Sequence, residues 1–160
     1  MEDVSVLLQC KDPELNDELF QTAHDIKGGI YGKRLVLFAP LYVSNLCHNN
    51  CLYCACRAKN TKIKRRALTE EKIREEVEYL VNKGHKRILI VAGEEYPDEG
   101  LKHILKAIET TYSVKVDKGE IRRINVNIAP LIVPEFKELK AAKIGTYKLF
   151  QETYHMHTYK

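Results

Sequence analysis

Strand-forming runs alternate with helical patterns along most of this sequence, and that order restricts the possible folds more than any other feature. "KRILIVAGEE" holds an unbroken apolar run from Ile88 to Val91, the kind found in parallel strands covered on both faces. A helical stretch precedes it. Thr69 is a good N-cap, Glu70 and Glu71 put negative charge at the helix start, and Leu68 can staple onto Ile73. Ile73, Val77, Leu80 and Val81 mark the buried face, and Gly84 ends the helix. A second helical stretch follows, with Leu101, Ile104, Leu105 and Ile108 in phase. "RLVLFAPLYVSN" (34–45) predicts an earlier strand, in which Pro40 marks where ladder pairing stops or bends. "IRRINVNIAP" predicts a third strand, with Ile124, Val126 and Ile128 on one face and Asn125 and Asn127 on the other. Pro134 opens a short helix with Phe136 and Leu139 on its apolar side, Gly145 closes it, and "TYKLFQETYH" predicts a fourth strand. Ahead of all this, Asp12-Pro13 starts a helix through Leu15, Leu19, Ala23, Ile26 and Ile30, which Gly28-Gly29 should weaken at its end.

Strands alternating with helices give right-handed βαβ units and a parallel α/β sheet. An open doubly wound sheet and part of a (β/α)8 TIM-like barrel both fit that order. The third strand favours the barrel, because two asparagines facing a helix layer would be costly unless paired, whereas asparagines facing a lumen near a ligand are useful. The expectation is a partial (β/α)8 barrel of about four parallel βα units, since a full barrel needs roughly 200 residues or more. Residues 1–33 are expected to form an N-terminal helical segment and 34–160 the half-barrel, with the second half of the barrel absent.

The chain is long enough to bury a core, and 44% hydrophobic with 30% charged residues is ordinary for a soluble protein. A net charge of +4 with no aromatic-studded basic groove gives no argument for nucleic acid. No apolar run is long enough to cross a bilayer, and "MEDVSVLLQCKDPE" lacks the basic and apolar regions of a signal peptide. The expected location is cytoplasmic, with no membrane partner.

Four of the five cysteines fall between Cys47 and Cys56. A disulfide framework would use an even count and spread it out, so a cluster like this points to metal. Cys10 stands apart and reads as a small buried apolar residue. "CHNNCLYC" sets Cys47, Cys51 and Cys54 at C-x3-C-x2-C spacing. A zinc site would need a fourth ligand, for which Cys56 or His48 is available. A four-iron cubane normally takes four thiolates; with three, one iron keeps an open position where chemistry can occur. The loop that follows the first strand of a barrel lies at the C-terminal face, where such barrels carry their active sites.

C-x3-C-x2-C after the first strand, with Tyr53 just before the last cysteine, resembles the radical S-adenosylmethionine (SAM) enzymes. "FAPLYVSNLCHNNCLYC", "GEIRRINVNIAP" and "IGTYKLFQETYH" resemble, within them, the tyrosine lyases of iron-only hydrogenase maturation and, somewhat less, of thiamine synthesis. The likeness spans nearly the whole chain. It implies a [4Fe-4S] cluster on Cys47, Cys51 and Cys54 whose open iron chelates SAM. Reductive cleavage of SAM to a 5'-deoxyadenosyl radical would follow, and then scission of the tyrosine Cα–Cβ bond to p-cresol and dehydroglycine. It gives Tyr53 a contact to the adenine, and Gly93 and Glu94 the SAM amino group. The stretch there is Ala92-Gly93-Glu94, with alanine where the family pattern has a first glycine. Cys56 is an extra thiol at a position where the family usually has an apolar or aromatic residue, and reads as a bystander.

Each role has a plainer counterpart. Tyr53 could be a packed aromatic and Glu94 a solvated loop carboxylate. Asn125, Asn127 and Glu152 could form a polar network inside the barrel rather than touch a ligand; Asn127 and Glu152 are retained as cofactor-binding candidates. His48, His155 and His157 read as ordinary polar residues, and "KNTKIKRR" (59–66) as a solvated face rather than a docking site. The expected partners are tyrosine as small-molecule substrate, a reductant protein such as ferredoxin or flavodoxin, and a second copy or a complementary half-barrel chain to cover the open strand edges. The competing reading is a truncated, non-catalytic cluster- or SAM-binding fragment, or a split-barrel subunit. A zinc-binding Rossmann-like domain ranks last, since no G-x-G-x-x-G loop is present.

Overall fold

The computed structural model describes residues 2–95 and 101–158. The chain divides into two compact units, Met1–Val36 and Leu37–Lys160.

The first unit holds α1 (Glu2–Gln9) and α2 (Pro13–Tyr31). Asp12 caps α2, its Oδ1 accepting from the backbone N–H of Glu14 at 2.9 Å and Leu15 at 3.2 Å. Gly28-Gly29 do not end the helix. It runs through both and stops at Gly32, which has a φ of 62° and donates to the Gly28 carbonyl. A glycine costs about 1 kcal/mol inside a helix, too little to break one that is already propagating. No residue of α2 is buried, so its apolar period marks a helix here and not a core. Cys10 is half-buried, short of the buried position expected for it.

The second unit holds β1 (Ala39–Ser44), α3 (Glu70–Asn82), β2 (Arg87–Ala92), α4 (Lys102–Ser113), β3 (Lys115–Val116), β4 (Gly119–Glu120), β5 (Arg123–Asn127), α5 (Val133–Ala141) and β6 (Thr146–Lys148). The main sheet has the order β1-β2-β5-β6 with every pairing parallel; β3 and β4 form a separate antiparallel pair. Each new strand of the main sheet lies beside the one before it. A doubly wound sheet reverses direction at a switch point, and this one does not. The fold is therefore α/β, a partial TIM-like barrel wall of four strands.

Burial alternates along β1, β2 and β5 as a wall requires. Ala39 is buried; Leu41 and Val43, Ile88 and Ile90, and Ile124 and Val126 are buried on the helix side, where they meet Ile73, Val77 and Val81 of α3 and Ile104 and Ile108 of α4. Each such side chain contributes roughly 1.5–3 kcal/mol. The register aligns the other face in rows. Pro40, Leu89, Asn125 and Thr146 form one; Tyr42, Val91, Asn127 and Lys148 form the next. Both asparagines thus lie away from the helix layer and are half-buried.

Two strand boundaries differ from the sequence reading. β1 begins at Ala39, opposite Ile88, and not at Arg34. Leu35, Val36 and Leu37 are strand formers with no strand opposite them, and they are exposed. Pro40 sits inside the ladder opposite Leu89, which an edge strand tolerates. β6 stops at Lys148, because its partner β5 stops at Asn127; Glu152 is therefore on a loop and not on a strand. Gly84, with a φ of 94°, ends α3 as expected, but the left-handed residue after α5 is Lys143 at φ 60° rather than Gly145.

Tyr147 pins β6. Its hydroxyl donates to the Ala129 carbonyl at 2.8 Å, and its ring meets Phe136 edge-on at 4.9 Å. Burial raises the phenol above the ordinary tyrosine range, with the Glu94 and Glu135 carboxylates adding to it. The folded state therefore holds the proton more tightly than the unfolded chain. That advantage is intact below about pH 10 and is lost as pH rises through the folded value. Tyr147→Phe should cost about 1 kcal/mol at neutral pH, read by urea unfolding, and the gap between the two proteins should narrow above about pH 10.

Candidate functional site

The segment after β1 is built by its own polar groups. Cys54 donates its N–H to the Cys51 carbonyl at 3.1 Å, and Arg57 donates to the Cys54 carbonyl at 3.3 Å, so two successive turns share Cys54. Ala58 N–H to the Asn49 carbonyl (2.7 Å) and Lys59 N–H to Asn50 Oδ1 (2.9 Å) fold the far side back onto the cysteines. At the base, Asn45 donates Nδ2–H to the Lys64 carbonyl at 2.8 Å and accepts the Arg66 N–H on Oδ1 at 2.7 Å. Ala67 bridges antiparallel to Ser44 and Leu68 donates to the Val43 carbonyl, which covers the end of an otherwise open strand edge.

Arg65 ties these pieces together. Nη1 donates to the carbonyls of Asn45 at 2.8 Å and Cys56 at 2.6 Å; Nη2 donates to those of Arg57 and Asn60. One residue of the basic run is therefore internal scaffold and not a solvated charge. Hydrogen bonds from a charged group are worth about 1.5–3 kcal/mol, so Arg65→Ala should destabilise by about 2–3 kcal/mol. Arg65→Lys should not rescue it, because an ammonium lacks the planar fork that spans four carbonyls; thermal melts of both variants check this.

Gly93 follows β2 and passes directly against this loop. A Cβ there would stand 2.1 Å from the Leu46 carbonyl oxygen and 3.1 Å from Cys47 Cβ. Its own N–H donates to the Ser44 carbonyl at 3.1 Å. Only glycine permits the β2 terminus to seat the cysteine loop. The next residue, Glu94, accepts a hydrogen bond on Oε2 from Asn49 Nδ2 at 2.7 Å, which fixes the carboxylate beside the C-x3-C-x2-C turn. Asn127 lies in register with Val91, two residues before Gly93. From the other side, Tyr53 donates its hydroxyl to Glu152 Oε1 at 3.0 Å. Desolvation, then the hydrogen bond and charge of Glu152, push the Tyr53 phenol up to about 12, so it remains a donor at any working pH.

The structure thus brings Cys47, Gly93 and Glu94 together and pairs Tyr53 with Glu152 across 99 residues. Asn49 is the residue the sequence reading passed over. It sits inside the cysteine motif, but its partner is 45 residues away. Cys51 is exposed, while Cys47, Cys54 and Cys56 are half-buried, and all are free thiols. Burial raises the Cys56 thiol, Cys54 beside it adds to that, and the Arg65 guanidinium works against it. His155 and His157 are exposed, with ring centroids 5.7 Å apart.

The profile of the radical SAM superfamily matches residues 41–158. The chain belongs to the radical SAM superfamily. Members of this superfamily use a [4Fe-4S] cluster and SAM. The crystal structure of HydG, a maturase of the [FeFe]-hydrogenase, superposes with a TM-score of 0.92 at 50% identity, over 98% of this chain and 34% of that one. HydG from Carboxydothermus hydrogenoformans superposes with a TM-score of 0.83 at 46% identity, over 94% of this chain and 34% of that one. The 2-iminoacetate synthase of Escherichia coli (strain K12) is 28% identical over 99% of this chain and 40% of its own length. The chain therefore spans about a third to two-fifths of the length of these relatives.

Cys47, Cys51 and Cys54 supply three thiols, the donor type an iron–sulfur cluster takes. Among the described residues no three Cys, His, Asp or Glu groups converge on one ion, as a mononuclear zinc site requires. A cubane spreads its thiolates over different irons, and Cys47, Cys51 and Cys54 are free thiols of the kind it takes. Among the described residues no helix is long and apolar enough to cross a membrane.

Proposed function

We propose that this chain is the cofactor-binding half of a radical SAM tyrosine lyase of the hydrogenase-maturation type. It would cleave the tyrosine Cα–Cβ bond to give p-cresol and dehydroglycine in the cytoplasm. The supporting observation is the 50% identity to HydG across 98% of the chain. The lower 28% identity to the 2-iminoacetate synthase ranks a thiamine-type role second.

In this reading Cys47, Cys51 and Cys54 hold the cluster. When bound, the cluster and SAM supply a 5'-deoxyadenosyl radical that removes a hydrogen atom from the substrate. The chain's own residues bind and orient. Glu94, held by Asn49, accepts hydrogen bonds from the ammonium of the methionine portion of SAM. Gly93 keeps the loop close enough for that carboxylate to reach. Tyr53, fixed at its hydroxyl by Glu152, presents its ring to the adenine, and Asn127 offers an amide on the concave face. A reductant protein such as ferredoxin or flavodoxin supplies the electron.

A second reading, a split-barrel subunit or non-catalytic fragment that needs a partner, is favoured by one observation: among the described residues β6 pairs on one side only. Anaerobic reconstitution with iron and sulfide, then dithionite and SAM with and without tyrosine, separates the readings. Mass spectrometry should show 5'-deoxyadenosine that rises with tyrosine, together with p-cresol. A bound four-iron cluster that yields neither product would sink the enzyme reading for this chain alone and leave the subunit reading.

A further inference from the structure

The segment that carries the cysteines has a one-signed charge. Between Leu37 and Thr69 the sequence has no Asp or Glu and six Lys or Arg, all within 57–66. Two of the six are turned to internal use: Arg65 spans loop carbonyls and Arg57 donates to the Leu52 carbonyl at 2.8 Å. The other four, Lys59, Lys62, Lys64 and Arg66, are exposed, and among the described residues their side chains hold no ion pair. They do not ride on a loose loop. The backbone N–H of Lys59 is bonded to Asn50, that of Lys62 to Asn60, and that of Arg66 to Asn45, while the Lys64 carbonyl accepts from Asn45. Asn45 precedes Cys47 and Asn50 precedes Cys51, so the backbone that carries Lys59, Lys64 and Arg66 is tied to the cysteine segment.

We propose that the exposed face of the 57–66 loop, carrying Lys59, Lys62, Lys64 and Arg66, is the docking surface for an acidic one-electron carrier protein. The inference rests on the cluster reading above and names the partner's place on it. Sequence alone makes this run a solvated face. Two structural findings change that: Arg57 and Arg65 are folded inward, and the backbone at Lys59 and Lys64 is held by Asn50 and Asn45 of the cysteine segment. A concentrated field of one sign raises association rates by roughly ten- to a thousandfold and falls steeply with salt.

The test uses the reconstituted chain and a triple variant, Lys59→Glu with Lys62→Glu and Lys64→Glu, checked for equal iron content and circular dichroism. Reduced flavodoxin and reduced ferredoxin are each mixed with both proteins, and cluster bleaching is followed by stopped flow. At low salt the variant should be reduced at least about tenfold more slowly by one or both carriers. At about 1 M salt, where the Debye length is about 3 Å, the difference should vanish. Reduction by dithionite should differ between the two proteins by far less. Equal carrier rates at low salt, or a deficit that salt leaves unchanged, would overturn the proposal. If no cluster assembles, the lyase reading fails separately. The docking surface is then decided by titrating oxidised carrier against the cluster-free chain: salt-sensitive binding lost in the variant supports it, and no binding or equal binding overturns it.

Discussion

Gly93→Ala should lower the melting temperature by roughly 6–12 °C and leave the cysteine loop unable to retain iron. The added methyl would meet the Leu46 carbonyl oxygen at 2.1 Å. That neighbour is backbone, so no side-chain rotation relieves the clash. The displaced segment is also the one that pairs with β2, through Gly93 N–H and the Ser44 carbonyl. Overpacking in a tight site costs about 1–3 kcal/mol, and at the upper end this corresponds to the stated shift for a domain of this size, at about 2–4 °C per kcal/mol. The loss of iron separates this change from a generic destabilisation. A core truncation such as Ile90→Ala should cost about 2–5 kcal/mol yet keep its iron at temperatures where the protein is folded. Calorimetry and iron analysis on both variants check the contrast.

The second large effect is expected at the thiols. Single Cys47→Ala, Cys51→Ala and Cys54→Ala variants should each fold and each lose nearly all reconstituted iron and the brown charge-transfer absorbance, because a cubane anchored by only two thiolates falls short of the usual ligand count. Cys56→Ala should keep its iron. Its thiol lies near Cys54 and Cys47, so an equal loss there would show that the protein uses a fourth thiolate. Iron and sulfide quantification of the four variants, reconstituted side by side, decides it.

Much of the wall was legible because its signals are local. Thr69 caps α3, accepting from the Lys72 N–H, and Ile73, Val77 and Val81 are its buried residues. Asn125 and Asn127 alternate with buried Ile124 and Val126, and that alternation named the barrel before any topology was known. What failed depended on partners distant in sequence. Leu35 to Phe38 have the composition of a strand, but a strand exists only where another chain segment offers hydrogen bonds, and β2 begins its ladder opposite Ala39. The same rule shortened β6 to Lys148 and moved Glu152 to a loop. Neither the β3–β4 pair nor α1 carries a period long enough to read.

The site divides in the same way. The cysteine spacing is a short-range pattern and announces itself. Asn49, Arg65 and the seat at Gly93 are matters of which backbone group lies opposite which side chain. Charge counting even misassigned Arg65, because a guanidinium that satisfies four carbonyls looks identical in sequence to one in solvent.

The strand order has a consequence for how the protein is made. With β1, β2, β5 and β6 adjacent in the order of synthesis, each strand leaving the ribosome finds its neighbour already present, although each parallel pairing must first close the crossover between its two strands. Pairing with the strand made just before favours vectorial assembly, while closing each crossover slows it. The cysteine loop is an exception within that scheme. It emerges early, but Glu94, the partner of Asn49, lies 45 residues further on. For that interval its thiols are exposed without their seat, which makes the nascent loop the stage most vulnerable to oxidation and the completed second βα unit the earliest point at which iron can be safely loaded.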